Sequence, residues 1–357
     1  MPGEEVTYRN PKVTNWSVFR EELQLNLTAI NKAVKTVEQL ELTVGELEIG
    51  LNDAYLRSCP IKKTAKRDGN WEAYRTALTT FNRELRKAKR RSWARFCEEV
   101  NNTSQTSRLY KVISKAPSSH PSTLKRRDGT YTKRAEETLR LLADVHFPNS
   151  IHLESNEAFS HTTIKTRPSS DDWRRASTIF KPDRVKWAID SFKPYKTGGE
   201  DNIFPALLQQ GKDIILPVLL KIFRASFAWG YIPLASTKVK VSYIPKSGDR
   251  DKALPKSYRP ISLTSFMLKT MEKVVNLHIR DTYLTKKPLH ERQHAYQKGK
   301  STETALMDLV DRIDRAIEDK EIALCVFLDI EGAFDNTSTS FITNSLALRD
   351  MDQSEIS

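Results

Sequence analysis

The sequence predicts a mixed α+β fold, in which a basic helical region precedes a region that contains strands. Residues 71–100 carry apolar side chains at steps of three and four, which is the period of an amphipathic helix. Residues 238–245 alternate apolar and polar side chains, as a strand with one buried face does. Residues 322–328 form an almost unbroken apolar run, the pattern of a strand buried on both faces, although a buried helix of that length would look similar.

Length and charge limit the class of protein. At 357 residues, with an apolar fraction of 38%, the chain is long enough for two or three modest domains. Its 58 basic residues exceed its 45 acidic residues, which gives a formal net charge of +13. This balance favours a polyanionic partner, either nucleic acid or an anionic membrane. A soluble basic protein without such a partner would have the same composition.

Cysteine usage and hydropathy argue against several classes. Cys59, Cys97 and Cys325 show no paired spacing and no accompanying His/Cys cluster, which disfavours both disulfides and a zinc site. The polar N-terminus disfavours a secretory signal peptide. The most apolar segment, residues 214–220, is too short to span a bilayer and contains Pro217. We therefore expect an intracellular protein that has no membrane partner.

The predicted helix at residues 71–100 is a candidate nucleic-acid contact. Its apolar stripe consists of Trp71, Tyr74, Leu78, Phe81, Leu85 and Ala88. Many cations lie off that stripe, and few acids offset them. Such a face can follow a phosphate backbone, and its binding would weaken steeply with salt. The alternative is the solvated face of a helical hairpin. The candidate contacts are Arg86, Lys87, Arg90 and Arg91.

Asp329 is the candidate for metal chemistry, because it directly follows the apolar run at residues 322–328. A carboxylate at the end of a buried strand, followed by small residues, can hold a metal ion while backbone N–H groups approach a phosphate. Phosphoryl transfer uses such an arrangement, since two metal ions about 3.5–4 Å apart clamp the attacking and leaving oxygens. On its own, Asp329 could equally be a helix cap.

Three further motifs stand upstream of Asp329: IPKSGD at residues 244–249, YRPISL at 258–263 and QHAYQKGKST at 293–302. In this order and spacing, the four motifs resemble the reverse transcriptases of non-LTR retrotransposons, particularly the insect groups related to the jockey, I and R1 elements. The resemblance runs from about residue 71 to residue 335. It implies an α+β fold with a helical basic N-terminal region, followed by reverse-transcriptase fingers and an incomplete palm.

The resemblance also implies a division of the chain. Residues 1–123 would be a mostly helical basic region with a linker, and residues 124–171 a small hairpin-helix segment with a polar linker. Residues 172–225 would form an N-terminal extension of the fingers, and residues 226–357 a partial reverse transcriptase domain. The stretch KTGGEDNIFP, residues 196–205, matches the family's glycine-rich loop at Asp201, but its Gly199-Glu200 departs from the usual Pro-Gly-Pro start.

By the same resemblance, Asp329 is the first metal-binding aspartate and the catalytic carboxylate, with the carbonyl of Ile330 as a further ligand to Mg²⁺ or Mn²⁺. Phe334 would clash with a ribose 2′-hydroxyl, which favours deoxynucleotides. A one-residue slip of the alignment to Asp335 would reverse that conclusion. The incoming triphosphate would lie along Ile330, Glu331, Gly332, Ala333 and Phe334.

The resemblance assigns four cations to anionic ligands. Lys246 and Arg259 match the fingers cations that grip the triphosphate, and arginine suits this role because its planar fork binds phosphate oxygens bidentately. Lys298 and Lys300 match a basic turn close to template and nucleotide, where arginine is commoner in the family. Without the motifs, each of the four would be interpreted as an ordinary surface charge.

The family's active polymerases also need a Gln-Gly loop and a Tyr-x-Asp-Asp hairpin, and neither occurs in the sequence after Asp329. The family's endonuclease domain is likewise absent. We therefore expect a fragment of an RNA-directed DNA polymerase that uses an RNA template, a DNA primer and dNTPs, and that is inactive alone. The alternatives are a non-catalytic nucleic-acid-binding fragment and an RNA-directed RNA polymerase. The run KAKRR at residues 87–91, similar to a nuclear import signal, suggests a nuclear and cytoplasmic location.

Overall fold

The computed structural model describes residues 7–28, 30, 33–63, 71–99, 123–148, 167–248, 250–330, 333, 337–352 and 355. Its strands pair as two antiparallel ribbons. β1 (Thr7–Arg9) pairs with β2 (Ile61–Lys63), and β3 (Lys240–Pro245) pairs with β4 (Tyr258–Leu263). Together with the helices, these ribbons confirm the mixed α+β class.

The helices occupy most of the described residues. The first four are α1 (Trp16–Leu27), α2 (Val37–Ser58), α3 (Trp71–Glu99) and α4 (Ala135–His146). The next five are α5 (Ser170–Ile179), α6 (Pro182–Asp190), α7 (Pro205–Gln210), α8 (Lys212–Trp229) and α9 (Leu234–Thr237). The last three are α10 (Phe266–Thr282), α11 (Thr302–Glu318) and α12 (Thr339–Ala347).

One hydrophobic core joins the first two helices to the middle of the chain. α1 buries Phe19 and Leu23, α2 buries Leu47 and Leu51, and all four side chains belong to the same cluster as Leu219 of α8. Side chains of α5, α6, α7 and α10 complete that cluster. The sequence signal for α1 is weak, whereas that for α2 is a plausible helical pattern, and both helices form part of the main core.

Capping residues set the starts of several helices. Asn15 caps α1, Thr36 caps α2, and Ser301 forms a capping box with Thr304 at the start of α11. The left-handed Gly230 (φ 61°) ends α8. Within the described residues, no helix combines the length and the hydropathy that crossing a bilayer requires.

The prediction of a buried strand at residues 322–328 is wrong in the described structure. The segment is extended but pairs with no described strand, and Ile322 and Leu328 are 97% and 90% exposed. A strand buried on both faces needs neighbours that bond its backbone and cover its side chains. β3 and β4 pair only with each other among the described strands, so residues 322–328 have no described sheet to join.

Candidate functional site

The β3–β4 hairpin brings two of the predicted site cations together. Arg259 lies opposite Ile244 in the strand register, and the Lys246 N–H donates to the Ser257 carbonyl (2.8 Å), one step beyond the last strand pair. Ile244 and Lys246 are two residues apart, so they point to the same face, which the cross-strand partner Arg259 shares. The Arg259 side chain is exposed and that of Lys246 half-buried. The hairpin therefore presents both cations on one face.

The opposite face of β4 anchors the hairpin. Tyr258 is 1% exposed and packs with Leu124 and Leu142, and its hydroxyl donates to the Lys252 carbonyl (2.9 Å). The Lys125 N–H donates to the Ala253 carbonyl (2.8 Å), which ties the connection between the strands to the segment before α4. Because Tyr258 is held inward, its neighbour Arg259 must point outward. Sequence analysis missed this supporting role of residues 124–146.

The 196–205 loop lies against the other end of the hairpin. A Cβ at Gly199 would lie 3.0 Å from the Ser265 nitrogen and 3.1 Å from the carbonyl oxygen of Leu263, the last residue of β4. The Asp201 carboxylate accepts from the Ile203 N–H (3.1 Å). Burial raises the pKa of Asp201 above its usual value, whereas the Ser265 side chain, the bond from Ile203 and the charge of Lys269 act in the opposite direction.

Asp329 is an exposed residue at the end of an extended segment. Ile330 is exposed as well, and in the described part of the chain no hydrogen bond or ion pair joins Asp329 to Lys246 or Arg259. Ala333 is exposed, whereas Glu331, Gly332, Phe334 and Asp335 lie outside the described residues. The predicted carboxylate and the predicted phosphate-binding cations therefore make no direct polar contact among the described residues.

The basic turn before α11 contains a left-handed glycine and two lysines whose side chains differ in exposure. Gly299 has φ 79°, a left-handed conformation that glycine adopts without strain. Lys298 is exposed, whereas the Lys300 ammonium donates to the Glu291 carbonyl. Of this pair, Lys298 is the side chain more available to a phosphate.

A cavity of about 480 Å³ lies next to this turn, and sequence analysis missed it. The residues that line it are Glu291, Arg292, His294, Asp308, Asp311, Arg312 and Arg315. Asp308 pairs with Arg312 (3.4 Å), so the cavity wall carries charges of both signs. Arg312 and Arg315 lie three residues apart in the sequence, but Asp308, Asp311 and Asp314 alternate with them, so no separate basic pattern indicates this cavity.

The cations of α3 gather on one side of the helix. Arg83, Arg86, Lys87 and Arg90 line a cavity of about 540 Å³, and Arg91 follows directly in the sequence. Glu84 offsets part of this charge, since its carboxylate lies 3.1 Å from the Lys87 ammonium. Of the apolar stripe, Leu78, Phe81 and Leu85 are exposed, Phe81 to 61%. The structure thus places Arg86, Lys87 and Arg90, three of the predicted contacts, on the same side of α3.

Comparisons with known proteins agree with this arrangement of motifs. A family model described as "Reverse transcriptase (RNA-dependent DNA polymerase)" matches residues 244–355. A probable RNA-directed DNA polymerase from transposon BS of Drosophila melanogaster is 28% identical over 217 residues, which is 58% of this chain and 23% of that protein. The Pol polyprotein of the type-1 retrotransposable element R1 of Bradysia coprophila is 25% identical over 267 residues, 74% of this chain and 25% of that protein.

A third relative, the RNA-directed DNA polymerase from mobile element jockey of Drosophila funebris, is 29% identical over 153 residues, 43% of this chain and 17% of that protein. These matches and the hairpin define a polymerase region of the reverse transcriptase class. The chain is similar to the reverse transcriptases of non-LTR retrotransposons. It spans a quarter or less of the length of these relatives.

Polymerases of this family generally use divalent metal ions. Asp329 contributes a single exposed carboxylate, and no group of three ligating His, Cys, Asp or Glu side chains occurs among the residues that the structure describes. Since a two-metal site needs several carboxylates, these residues do not fit the ions by themselves.

Proposed function

We propose that the chain is the triphosphate- and template-binding part of an RNA-directed DNA polymerase, whose substrates are an RNA template, a DNA primer end and dNTPs. The observation that carries this proposal is the placement of Lys246 and Arg259 on one face of the β3–β4 hairpin. In this proposal, residues 172–225 extend the fingers, the hairpin belongs to the fingers, and residues that follow α11 begin the palm.

The two hairpin cations suit an incoming triphosphate in different ways. Arg259 offers a rigid fork of donors that binds phosphate oxygens bidentately, whereas Lys246 contributes a point charge on a flexible stem. Pro260 fixes an extended backbone at Arg259 and so helps to project its side chain. The exposed Lys298 would add a contact to the template or nucleotide phosphates.

We further propose that the chain does not polymerise by itself. Mg²⁺ or Mn²⁺ would bind at Asp329 and the Ile330 carbonyl only when further carboxylates complete the site, because phosphoryl transfer of this kind uses two metal ions. Phe334 supports deoxynucleotides over ribonucleotides, since an aromatic side chain beneath the sugar cannot accept a hydrogen bond from a 2′-hydroxyl. The KAKRR run at residues 87–91 supports a nuclear and cytoplasmic location.

A binding assay tests the role of the hairpin. We expect Arg259→Ala to weaken binding of a fluorescent dTTP analogue about tenfold in low salt without divalent ions, the loss expected for charged hydrogen bonds. Fluorescence anisotropy gives the Kd. The matched control is Arg20→Ala, which removes an exposed arginine of α1 and should leave the Kd unchanged. Equal affinities for all three proteins would contradict the proposal.

Primer extension tests the activity. With an RNA template, a DNA primer, dNTPs and Mg²⁺, we expect no extension by the chain alone. Extension that disappears in Asp329→Ala would show that the proposed inactivity is wrong and that a complete site forms. Extension with ribonucleotides as efficient as with deoxynucleotides, unchanged in Phe334→Ala, would favour an RNA polymerase instead.

The second candidate function is nucleic-acid binding without catalysis. The exposed cations on one side of α3 favour it, because they lie outside the hairpin and need no metal site. Duplex binding that persists in Arg259→Ala but is lost when the α3 cations are removed would support this candidate over the triphosphate site.

A further inference from the structure

A side chain of α2 reaches the 196–205 loop from a distant part of the sequence. The Asn52 amide nitrogen donates to the Asp201 carbonyl (3.0 Å) and to the Glu48 carbonyl (3.0 Å) of its own helix. The residue is half-buried at this junction. The bond to the Glu48 carbonyl fixes the Asn52 amide on α2, and the amide in turn fixes the position of the Asp201 carbonyl. Asp201 is therefore fastened to a helix of the main core.

The same loop is in backbone contact with the hairpin. Its glycines allow this, since a Cβ at Gly199 would lie 3.0 Å from the Ser265 nitrogen and 3.0 Å from the Thr264 carbonyl carbon. The Ser265 hydroxyl accepts from the Met267 N–H (3.1 Å) at the start of α10, and its nearness to the Asp201 carboxylate lowers the pKa of that carboxyl. The end of β4 is thus held between the loop and α10.

We infer that Asn52 is a positioning residue for the β3–β4 hairpin: it fixes the loop at Asp201, and the loop fixes the end of the strand that carries Arg259. The inference rests on the proposed function for its effect on ligand binding, although the positioning itself concerns only the fold. Leu263 is four residues from Arg259 on β4, and a strand transmits a shift along its length because its backbone is extended and bonded to its partner. The α2 helix lies outside the region that matches the family model, so that match does not include Asn52.

Ligand binding gives the first test. We expect Asn52→Ala to weaken the dTTP analogue about fivefold, the effect of losing one neutral hydrogen bond that orders the site. The matched control is Asn26→Ala, which removes an amide bond of the same kind, from the Asn26 side chain to the Gly50 carbonyl (3.1 Å), between α1 and α2. That control should bind as the unaltered chain does. Gly199→Ala, which crowds the same junction from the loop side, should resemble Asn52→Ala.

A double-mutant cycle separates positioning from general destabilisation. If Asn52 acts through Arg259, the Asn52→Ala change should have no further effect in an Arg259→Ala background. A loss of equal size in both backgrounds would overturn the inference, as would an Asn52→Ala affinity equal to that of Asn26→Ala. If Arg259→Ala itself leaves binding unchanged, the proposed function fails. Amide hydrogen exchange then decides by itself whether Asn52 positions the hairpin.

Amide hydrogen exchange measures the hairpin directly and needs no ligand. We expect the amides of β3 and β4 to exchange faster in Asn52→Ala than in Asn26→Ala, with α8 amides unchanged in both. Faster exchange confined to the hairpin would support positioning whatever the ligand proves to be. Identical hairpin exchange in the two variants would overturn it.

Discussion

At the residue scale, two half-buried carboxyls meet where α2 touches the 196–205 loop. The Glu48 Oε1 and Asp201 Oδ2 atoms are buried without a hydrogen-bond partner among the described residues. Burial, followed by the nearby charges of Asp201 and Glu41, raises the pKa of Glu48 to about 7, and Lys238 acts in the opposite direction. The ionised form of Glu48 is therefore disfavoured in the folded chain.

This carboxyl makes stability depend on pH. The unfolded chain releases the Glu48 proton near the ordinary pKa of 4.5, whereas the folded chain keeps it up to about pH 7. The free energy of unfolding therefore falls as pH rises through that window and stays lower above it. We expect Glu48→Gln to raise it by about 1 kcal/mol at pH 8 and by less at pH 5, because the variant removes a buried charge.

Urea unfolding at several pH values measures this effect. Glu46→Gln is the matched control, since Glu46 is exposed on the same helix and its replacement should change little at any pH. If the unaltered chain and Glu48→Gln show the same pH dependence, Glu48 is not the group that couples folding to protons.

Single residues differ in how far the sequence could place them. Lys246 and Arg259 were paired by the resemblance alone, whereas the face that they share depends on the β3–β4 register, which no local pattern determines across a connection of residues 246–257. Asn52 was not predictable, since its bond to Asp201 joins positions 149 residues apart and no local pattern records such a contact. Gly50 shows the same limit: glycine disfavours a helix locally, yet a Cβ there would lie 3.0 Å from the Leu27 side chain, where α1 and α2 meet.

At the scale of elements, segments with local signals matched their predictions. The strand expected at residues 238–245 is β3 (Lys240–Pro245), and the helix expected at residues 71–100 is α3 (Trp71–Glu99). Residues 322–328 differ because apolar content predicts burial only when other elements cover it. α11 is a second example: it is amphipathic, yet none of its residues is buried because no described element covers its apolar face. Local chemistry predicts an element, whereas its burial depends on neighbours.

α3 is the element whose function salt can test. If Arg86 and Arg90 contact phosphates, the Arg86→Ala/Arg90→Ala double variant should reduce the slope of log K against log salt by roughly two for a duplex, because each lost contact releases about one fewer counterion. Anisotropy with a fluorescent RNA–DNA duplex over a salt series gives the slope.

The control for this series removes two cations that carboxylates already neutralise. Arg57 lies 2.8 Å from Glu22, and Arg140 lies 2.9 Å from Glu136, so Arg57→Ala/Arg140→Ala should keep the original slope. A slope that is unchanged in the α3 variant would show instead that this side of α3 is a solvated face.

At the scale of the whole molecule, apolar side chains are buried in one part of the chain and exposed in another. α1, α2 and α5 to α8 share a core with α10, whereas the described residues after α10 are attached mainly by polar contacts. Arg175 pairs with Asp352 (2.6 Å), and Glu355 accepts from Tyr283 (2.9 Å) and lies 3.1 Å from the His278 ring nitrogen. Large apolar side chains are exposed on α11, on residues 322–330 and on α12.

This open surface predicts how the chain behaves in solution. Residues 322–328 contain no charge, proline or glycine, and an extended segment of that composition pairs readily with another copy of itself. We expect the chain to self-associate as its concentration rises, and the Leu324→Lys/Val326→Lys double variant to remain monomeric to higher concentration. The Tm should change by no more than a few degrees, because Leu324 and Val326 are 87% and 71% exposed and stabilise no core.

Sedimentation velocity measures the association, with Leu42→Lys/Leu56→Lys as a control that alters exposed leucines on α2. A marked fall in Tm in the Leu324→Lys/Val326→Lys variant would show that this segment is buried after all, as the sequence alone predicts.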